Sequence, residues 1–126
     1  MHYADFSRYD DSARWVIFRA RGLVSELGGS AIADQHVVLA LLIEQSALVA
    51  QVHGLAIDDA QAMADRLRTR LCGAATVPVT SEVPFSASAV QLLEAAARLA
   101  ADEGAVVLQP IHLTRAIEPI VVMWRT

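Results

Sequence analysis

The stretch DQHVVLALL at residues 34–42 and the stretch PIHLTRAIE at residues 110–118 lie 76 positions apart and carry a histidine, His36 or His112, at the same place. Alignment of the chain with itself at this shift needs no gap over residues 9–41. The agreeing positions are apolar helix positions, a helix-ending glycine and the histidine: Tyr9 with Phe85, Ala13 with Ala89, Ala20 with Ala96, Leu23 with Leu99, Gly28 with Gly104, Ile32 with Leu108, His36 with His112 and Leu41 with Ile117. The sequence therefore predicts two copies of one helical unit.

Apolar residues in each copy recur with the period of an amphipathic helix. The predicted helices are 10–27, 35–43, 47–53, 59–71, 86–103 and one that begins at Pro110 and is bent or ended by Pro119. The expected N-terminal caps are Asp10 or Asp11, Asp34, Asp58, and Ser86 or Ser88. Gly28 is expected to end the first helix in a left-handed conformation. These elements predict an all-α fold.

The chain is expected to form one domain over residues 1–126, with repeat one at 9–71, a linker at 73–84 and repeat two at 85–126. The second copy ends early. The apolar tail IVVMW at residues 120–124 either folds back to complete it, or a second chain does. The tail also leaves a homodimer open, because exposed apolar patches are usually covered.

Composition excludes several classes of protein. The net charge is −4, and the ten basic residues are scattered arginines with no lysine, so no nucleic-acid patch is expected. Cys72 is the one cysteine, which rules out an internal disulfide and suits a reducing compartment. The N-terminus is polar and the longest apolar run, Val37–Ile43, is seven residues long, so neither a signal peptide nor a membrane span is expected. These observations predict a cytoplasmic protein.

No constellation of side chains predicts an enzyme or a metal site. Each histidine is expected in the first turn of a central helix, where its ring can bond a backbone carbonyl or helix end. No other histidine, cysteine or carboxylate recurs at the repeat spacing, although a metal would need converging ligands. No serine is patterned with a histidine and an aspartate. The sequence thus predicts no catalytic residue, no metal and no cofactor.

An aromatic residue, a capped amphipathic helix, a glycine, and then a capped helix with histidine occur twice in this order. The segments are YDDSARWVIFRARGLVSELGGSAIADQHVVLALLIE at residues 9–44 and VPFSASAVQLLEAAARLAADEGAVVLQPIHLTRAI at residues 83–117, joined through HGLAIDDAQAMADRL at residues 53–67. This pattern resembles the N-terminal repeat domain of the Clp/Hsp100 ATPases, the Clp N domain. The resemblance covers nearly the whole chain and implies two pseudo-twofold-related repeats of about seven to eight helices.

What the resemblance implies is a docking platform with no catalytic centre of its own. Its partners would be a Clp ATPase, the associated protease or their substrates. A Walker A motif is impossible without lysine, so the chain is not the ATPase, and its start and short C-terminal segment predict a free-standing Clp N protein. The expected function is that of a non-enzymatic adaptor or regulator of a Clp chaperone–protease.

The resemblance also implies two candidate ligand surfaces. One is the position before each histidine, where relatives in the Gram-positive and actinobacterial branch carry a glutamate that pairs with phosphoarginine; here Gln35 and Ile111 stand there. Because neither side chain is charged, phosphoarginine binding is expected to be weakened at Gln35 and lost at Ile111.

The second surface lies between the N-terminal segment and the first helix of repeat two. Aromatic residues there hold hydrophobic cyclic peptides in relatives. The candidate contacts are Phe6, Tyr9, Phe85, Val90 and Glu94, with Trp124 as an exposed apolar anchor. Val90 stands where relatives usually have a lysine. The alternative function is therefore a sequestering protein that binds a hydrophobic cyclic peptide and protects the Clp ATPase.

Overall fold

The chain is described here from a computed structural model, which covers residues 2–73 and 83–125. Within them a short 3-10 turn at Phe6–Arg8 precedes seven α-helices. The helices are α1 Asp11–Leu27, α2 Asp34–Glu44, α3 Ser46–His53, α4 Ile57–Leu71, α5 Ala87–Asp102, α6 Pro110–Ala116 and α7 Glu118–Arg125. The all-α prediction is confirmed. Most of the predicted linker, residues 74–82, lies outside the described residues.

Helix α2 forms the centre of the fold. It contacts α1, α3, α4, α5 and α6, and seven consecutive residues from His36 to Leu42 are buried. The amphipathic helices α1 and α5 pack their apolar faces on this centre. All the apolar stripe positions predicted for α1 are buried: Ala13, Val16, Ile17, Ala20, Leu23, Val24 and Leu27.

The two repeats are joined by reciprocal backbone pairing. Tyr9 forms a parallel bridge with Leu108, and Phe85 forms the corresponding bridge with Ile32. The four hydrogen bonds run from Leu108 N–H to Arg8 O (2.7 Å), from Asp10 N–H to Leu108 O (2.9 Å), from Ile32 N–H to Pro84 O (2.8 Å) and from Ser86 N–H to Ile32 O (3.0 Å). Under the 76-residue shift, the first of these bonds corresponds to the third, and the second corresponds to the fourth. Each repeat therefore pairs through one isolated backbone bridge with the start of the other, which defines the pseudo-twofold relation.

The N-terminal caps of α1 and α5, the first helix of each repeat, agree with prediction. Asp10 accepts a hydrogen bond from Ala13 N–H at 2.7 Å, and Ser86 accepts one from Ala89 N–H at 3.2 Å. Gly28 does end α1, but the left-handed prediction is wrong. Its φ is 112° and its ψ is 166°, an extended conformation open only to glycine.

Two predicted caps are wrong. Ala33, not Asp34, is the N-cap of α2, and the side chain of Asp34 accepts a bond from the adjacent Gln35 N–H instead. Helix α4 begins at Ile57, so Asp58 lies inside its first turn. A carboxylate there is still favourable, because it faces the positive end of the helix dipole.

The apolar tail forms α7 and folds back on the chain itself. Helix α6 ends at Ala116, and Pro119 is the second residue of α7, where a missing N–H is tolerated. The partly buried Trp124 ring lies under two guanidinium groups of α4, those of Arg66 and Arg70, each 5.6 Å from the ring centre. The prediction that Trp124 is an exposed anchor is therefore wrong.

No single helix in the described ranges is long and apolar enough to cross a membrane. Only α2 and α3 together, bent by 105° at their junction, pass that test of length and composition. Cys72 is exposed at the end of α4.

Candidate binding surface

His36 satisfies the backbone at the start of α2. Its Nδ1 accepts the N–H of Ala33 at 2.9 Å, as the third-position Glu or Gln does in a capping box. Because Nδ1 is then the acceptor nitrogen, Nε2 carries the proton and donates to the buried carbonyl of Gly28 at 3.3 Å. The ring thus joins the end of α1 to the start of α2, and both of its nitrogens are occupied.

His112 repeats this arrangement in the second copy. Its Nδ1 accepts the N–H of Gln109 at 2.9 Å, and its Nε2 donates to a carboxylate oxygen of Glu103 at 2.9 Å. Glu103 also pairs with Arg115. The expectation that both histidines bond backbone groups at helix ends is confirmed. The described residues contain no group of three or more His, Cys, Asp or Glu side chains that could hold a metal ion.

The local environments shift the pKa values of His36 and of Glu103, the carboxylate bonded to His112. Burial lowers the pKa of His36, opposed by its bond to the Gly28 carbonyl and by the nearby Asp34 carboxylate. The hydrogen bond from His112 lowers the pKa of the Glu103 carboxyl. In repeat one the neutral imidazole is therefore the form that the fold prefers.

We expect the free energy of unfolding to decrease as the pH falls below about 6.5, the ordinary pKa of histidine. The unfolded chain binds a proton at His36 that the folded chain resists, so protons favour unfolding in this range. The check is urea unfolding of wild type and His36→Gln between about pH 7 and 5. The variant should show a smaller pH dependence, and equal slopes would contradict the assignment.

The structure brings the three predicted aromatic residues together. The Phe6 ring lies 5.0 Å from that of Tyr9 and 6.0 Å from that of Phe85. Phe6 and Phe85 are partly exposed, but Tyr9 is only 1% exposed. Its hydroxyl donates to the carbonyl of Tyr3 at 2.6 Å, and burial raises its pKa. The prediction that Tyr9 contacts a ligand is therefore wrong, since it instead supports the two rings beside it.

A cleft of about 340 Å³ lies between the N-terminal segment and α5. Its lining residues are His2, Tyr3, Glu94, Ala97, Arg98 and Ala101. Glu94 is exposed, and Val90, one helical turn before it on α5, is half-buried. This cleft lies on the surface that the resemblance indicated, but Phe6 lines a different furrow, against α1.

The two positions before the histidines are both half-buried. Gln35 lines a cleft of about 230 Å³ together with Arg66, Arg70, Met123 and Trp124. Two guanidinium groups and no carboxylate line this cleft, which disfavours a cationic ligand. The weakened binding of phosphoarginine at Gln35 and its loss at Ile111 stay predictions.

Trp15 and Phe18 were missed in the sequence. Their side chains are 53% and 61% exposed on α1, and their rings stack with centres 5.4 Å apart. Their exposure could have been predicted from the sequence, because both residues lie outside the apolar stripe that α1 buries. Two large aromatic side chains on the polar face of an amphipathic helix are evidence of an interaction surface.

Comparison with solved structures identifies the fold. The N-terminal domain of Hsp104 from Candida albicans superposes with a TM-score of 0.74 at 18% identity, covering 91% of this chain and 77% of that one. The N-terminal domain of the caseinolytic protease associated chaperone ClpD from Arabidopsis thaliana gives a TM-score of 0.67 at 22% identity, covering 89% and 78%. No protein-family model and no curated protein sequence matches the chain.

These superpositions define the class as an all-α domain of two pseudo-symmetric repeats. More specifically, the chain has the fold of a Clp N domain, as its repeat pattern suggested.

Proposed function

We propose that this protein is a non-enzymatic binding module that acts as an adaptor or regulator of a Clp chaperone–protease. The observation that carries the proposal is the pair of half-exposed rings Phe6 and Phe85, 6.0 Å apart where the two repeats meet. Aromatic residues are enriched at protein interfaces, because they bury a large area at a small cost in entropy.

The position of these rings supports a preformed surface. Phe85 is held by the bridge to Ile32 and by the capped start of α5. Phe6 lies in the 3-10 turn and packs on the buried Tyr9. A surface fixed on both sides loses little conformational freedom when a partner binds. The adjacent cleft adds charges of both signs, Glu94 and Arg98, that can select a polar or charged peptide.

The fold likeness supports the partner class. The similar structures are N-terminal domains of Hsp104 and of a protease-associated chaperone, so a Clp ATPase, its protease or its substrates are the partners that we propose. Binding without chemistry agrees with the roles of the two buried histidines, whose ring nitrogens bond helix ends. The cytoplasmic location and the homodimer remain predictions.

We expect tagged wild-type protein to capture a Clp ATPase, its protease or a substrate from a lysate of the source organism, and Phe6→Ala/Phe85→Ala to lose that capture. The double variant removes both partly exposed rings of the aromatic pair. Mass spectrometry of the captured proteins is the measurement, followed by a binding titration with the purified partner. A decrease in affinity of about tenfold or more is expected from the loss of two aromatic contacts.

Val106→Ala is the matched control, because Val106 is 76% exposed and lies away from the aromatic pair in sequence. The double variant must also unfold cooperatively, since Phe85 is partly buried. Capture of the same Clp proteins by wild type and double variant would contradict the proposal. If instead a hydrophobic cyclic peptide raises the Tm of wild type alone and no Clp protein is captured, the sequestering function replaces it.

A further inference from the structure

The outward face of α1 carries an aromatic pair for which the core has no use. Trp15 and Phe18 stack at an interplanar angle of 23° and expose more than half of each side chain. Their rings leave a large apolar area in water, which normally marks an interface. Trp and Arg are also the residue types that contribute most to binding energy at interfaces.

Beside Phe18 runs a furrow of about 260 Å³ between α1 and the N-terminal turn. Its lining residues are Phe6, Arg14, Ile17, Phe18 and Arg21. Three apolar side chains and two guanidinium groups thus form the lining, and no carboxylate does. The furrow can accept an apolar side chain and pair an adjacent anion.

Arg14 and Arg21 differ in their ion-pair partners. Arg14 pairs with Asp11 one turn before it. Arg21 forms no ion pair within the described residues, and its buried Nε–H has no acceptor there. The guanidinium of Arg21 is thus not engaged by a carboxylate of the described residues, and its N–H groups that face the furrow can donate a charge-assisted hydrogen bond to a carboxylate of a partner.

The local charge also opposes the charge of the whole chain. The net charge is −4, yet residues 8–21 carry four of the ten arginines against only Asp10 and Asp11, which leaves a local surplus of two positive charges. Electrostatic attraction acts within about 10 Å at ordinary salt, so the local charge governs docking here. Nucleic acid would need a longer basic stripe.

We propose that the furrow along α1, bordered by Trp15 and Phe18, binds an acidic peptide segment of a partner protein. An apolar side chain of the segment packs between Phe18 and Ile17. A neighbouring carboxylate accepts a hydrogen bond from Arg21, and Trp15 covers the segment's flank. The furrow shares Phe6 with the aromatic pair of Phe6 and Phe85 but does not include Phe85, and its two arginines give it its own ligand chemistry.

The test uses a fluorescein-labelled peptide with a central Leu-Phe pair flanked by glutamates on both sides. One control peptide replaces the glutamates with lysines, and another replaces Leu-Phe with Ser-Ser. Fluorescence anisotropy with the full chain should show binding of the acidic apolar peptide alone. Its affinity should fall at least severalfold between about 50 and 200 mM salt, because the arginine contribution is screened.

Three variants locate the site. Arg21→Gln should weaken binding about tenfold, as expected for loss of a charged partner, and Trp15→Ala/Phe18→Ala should weaken it at least as much. Both positions of the double variant are largely exposed, so the fold is retained. Phe85→Ala should bind the peptide with wild-type affinity while weakening the capture of Clp proteins, which separates the two surfaces.

Equal binding of the acidic and lysine peptides would overturn the proposal, and so would unchanged affinity in both α1 variants. Sedimentation velocity tests whether a second copy of this chain, and not a peptide, occupies the furrow. If wild type dimerises, Trp15→Ala/Phe18→Ala is monomeric and no peptide binds, the furrow is an interface between two copies and the proposal is wrong.

Discussion

Leu108→Ala is expected to lower the free energy of unfolding by about 2–5 kcal/mol. The Leu108 side chain is fully buried, and its backbone forms both hydrogen bonds that join the start of repeat one to repeat two. Truncation leaves a cavity at the point where the repeats meet. Ile32→Ala, at the equivalent position of repeat one, should fall in the same range, because Ile32 is equally buried and makes the reciprocal bonds.

Urea unfolding followed by circular dichroism measures both losses. Val106→Ala serves as the control, since it lies two residues before Leu108 but is 76% exposed and should change stability by less than about 0.5 kcal/mol. If Leu108→Ala costs less than about 1 kcal/mol, Leu108 is not a buried contact between the two repeats.

His36→Ala should lower the free energy of unfolding by about 2–4 kcal/mol, because removing the ring leaves buried polar groups unpaired. The groups that lose their partner are Ala33 N–H and the carbonyl of Gly28. His112→Ala should cost less. There the second partner is the carboxylate of Glu103, which is exposed and can bond water instead.

The variant His36→Gln distinguishes the contribution of the cap hydrogen bond to stability from the contribution of the packed ring. A glutamine oxygen can accept the N-cap N–H, as in a capping box, so this variant should retain part of the stability that His36→Ala loses. Chemical unfolding of the three variants supplies the comparison. A His112→Ala cost that equals or exceeds that of His36→Ala would contradict the role assigned to the buried carbonyl.

The helices and their stops could be read from the sequence because they depend on local chemistry. The apolar stripe of α1 and Pro110 at the first position of α6 were predicted, and the observed caps Asp10 and Ser86 were each one of two predicted candidates. Two caps were misassigned, because an aspartate beside a helix start is a common cap in general. At Ala33 the acceptor instead comes from a histidine three residues ahead.

The candidate surface was only partly predictable. The position of Phe85 near Phe6 agrees with the expectation from the resemblance. The burial of Tyr9 and the separation of Phe6 from the cleft of Glu94 were not foreseen. Both depend on how the N-terminal turn lies against α1 and α5, a long-range arrangement that no local pattern encodes.

The sequence by itself determined that this protein is two copies of one helical unit, with equivalent histidines at residues 36 and 112. Periodicity and repeat spacing are one-dimensional properties, so they are readable without a structure. Only the tertiary structure decided that each repeat pairs with the start of the other, that α7 packs on α4, and that Trp15 and Phe18 stay in water. These outcomes depend on which apolar surfaces meet once the helices pack, and that choice is made by the whole chain together.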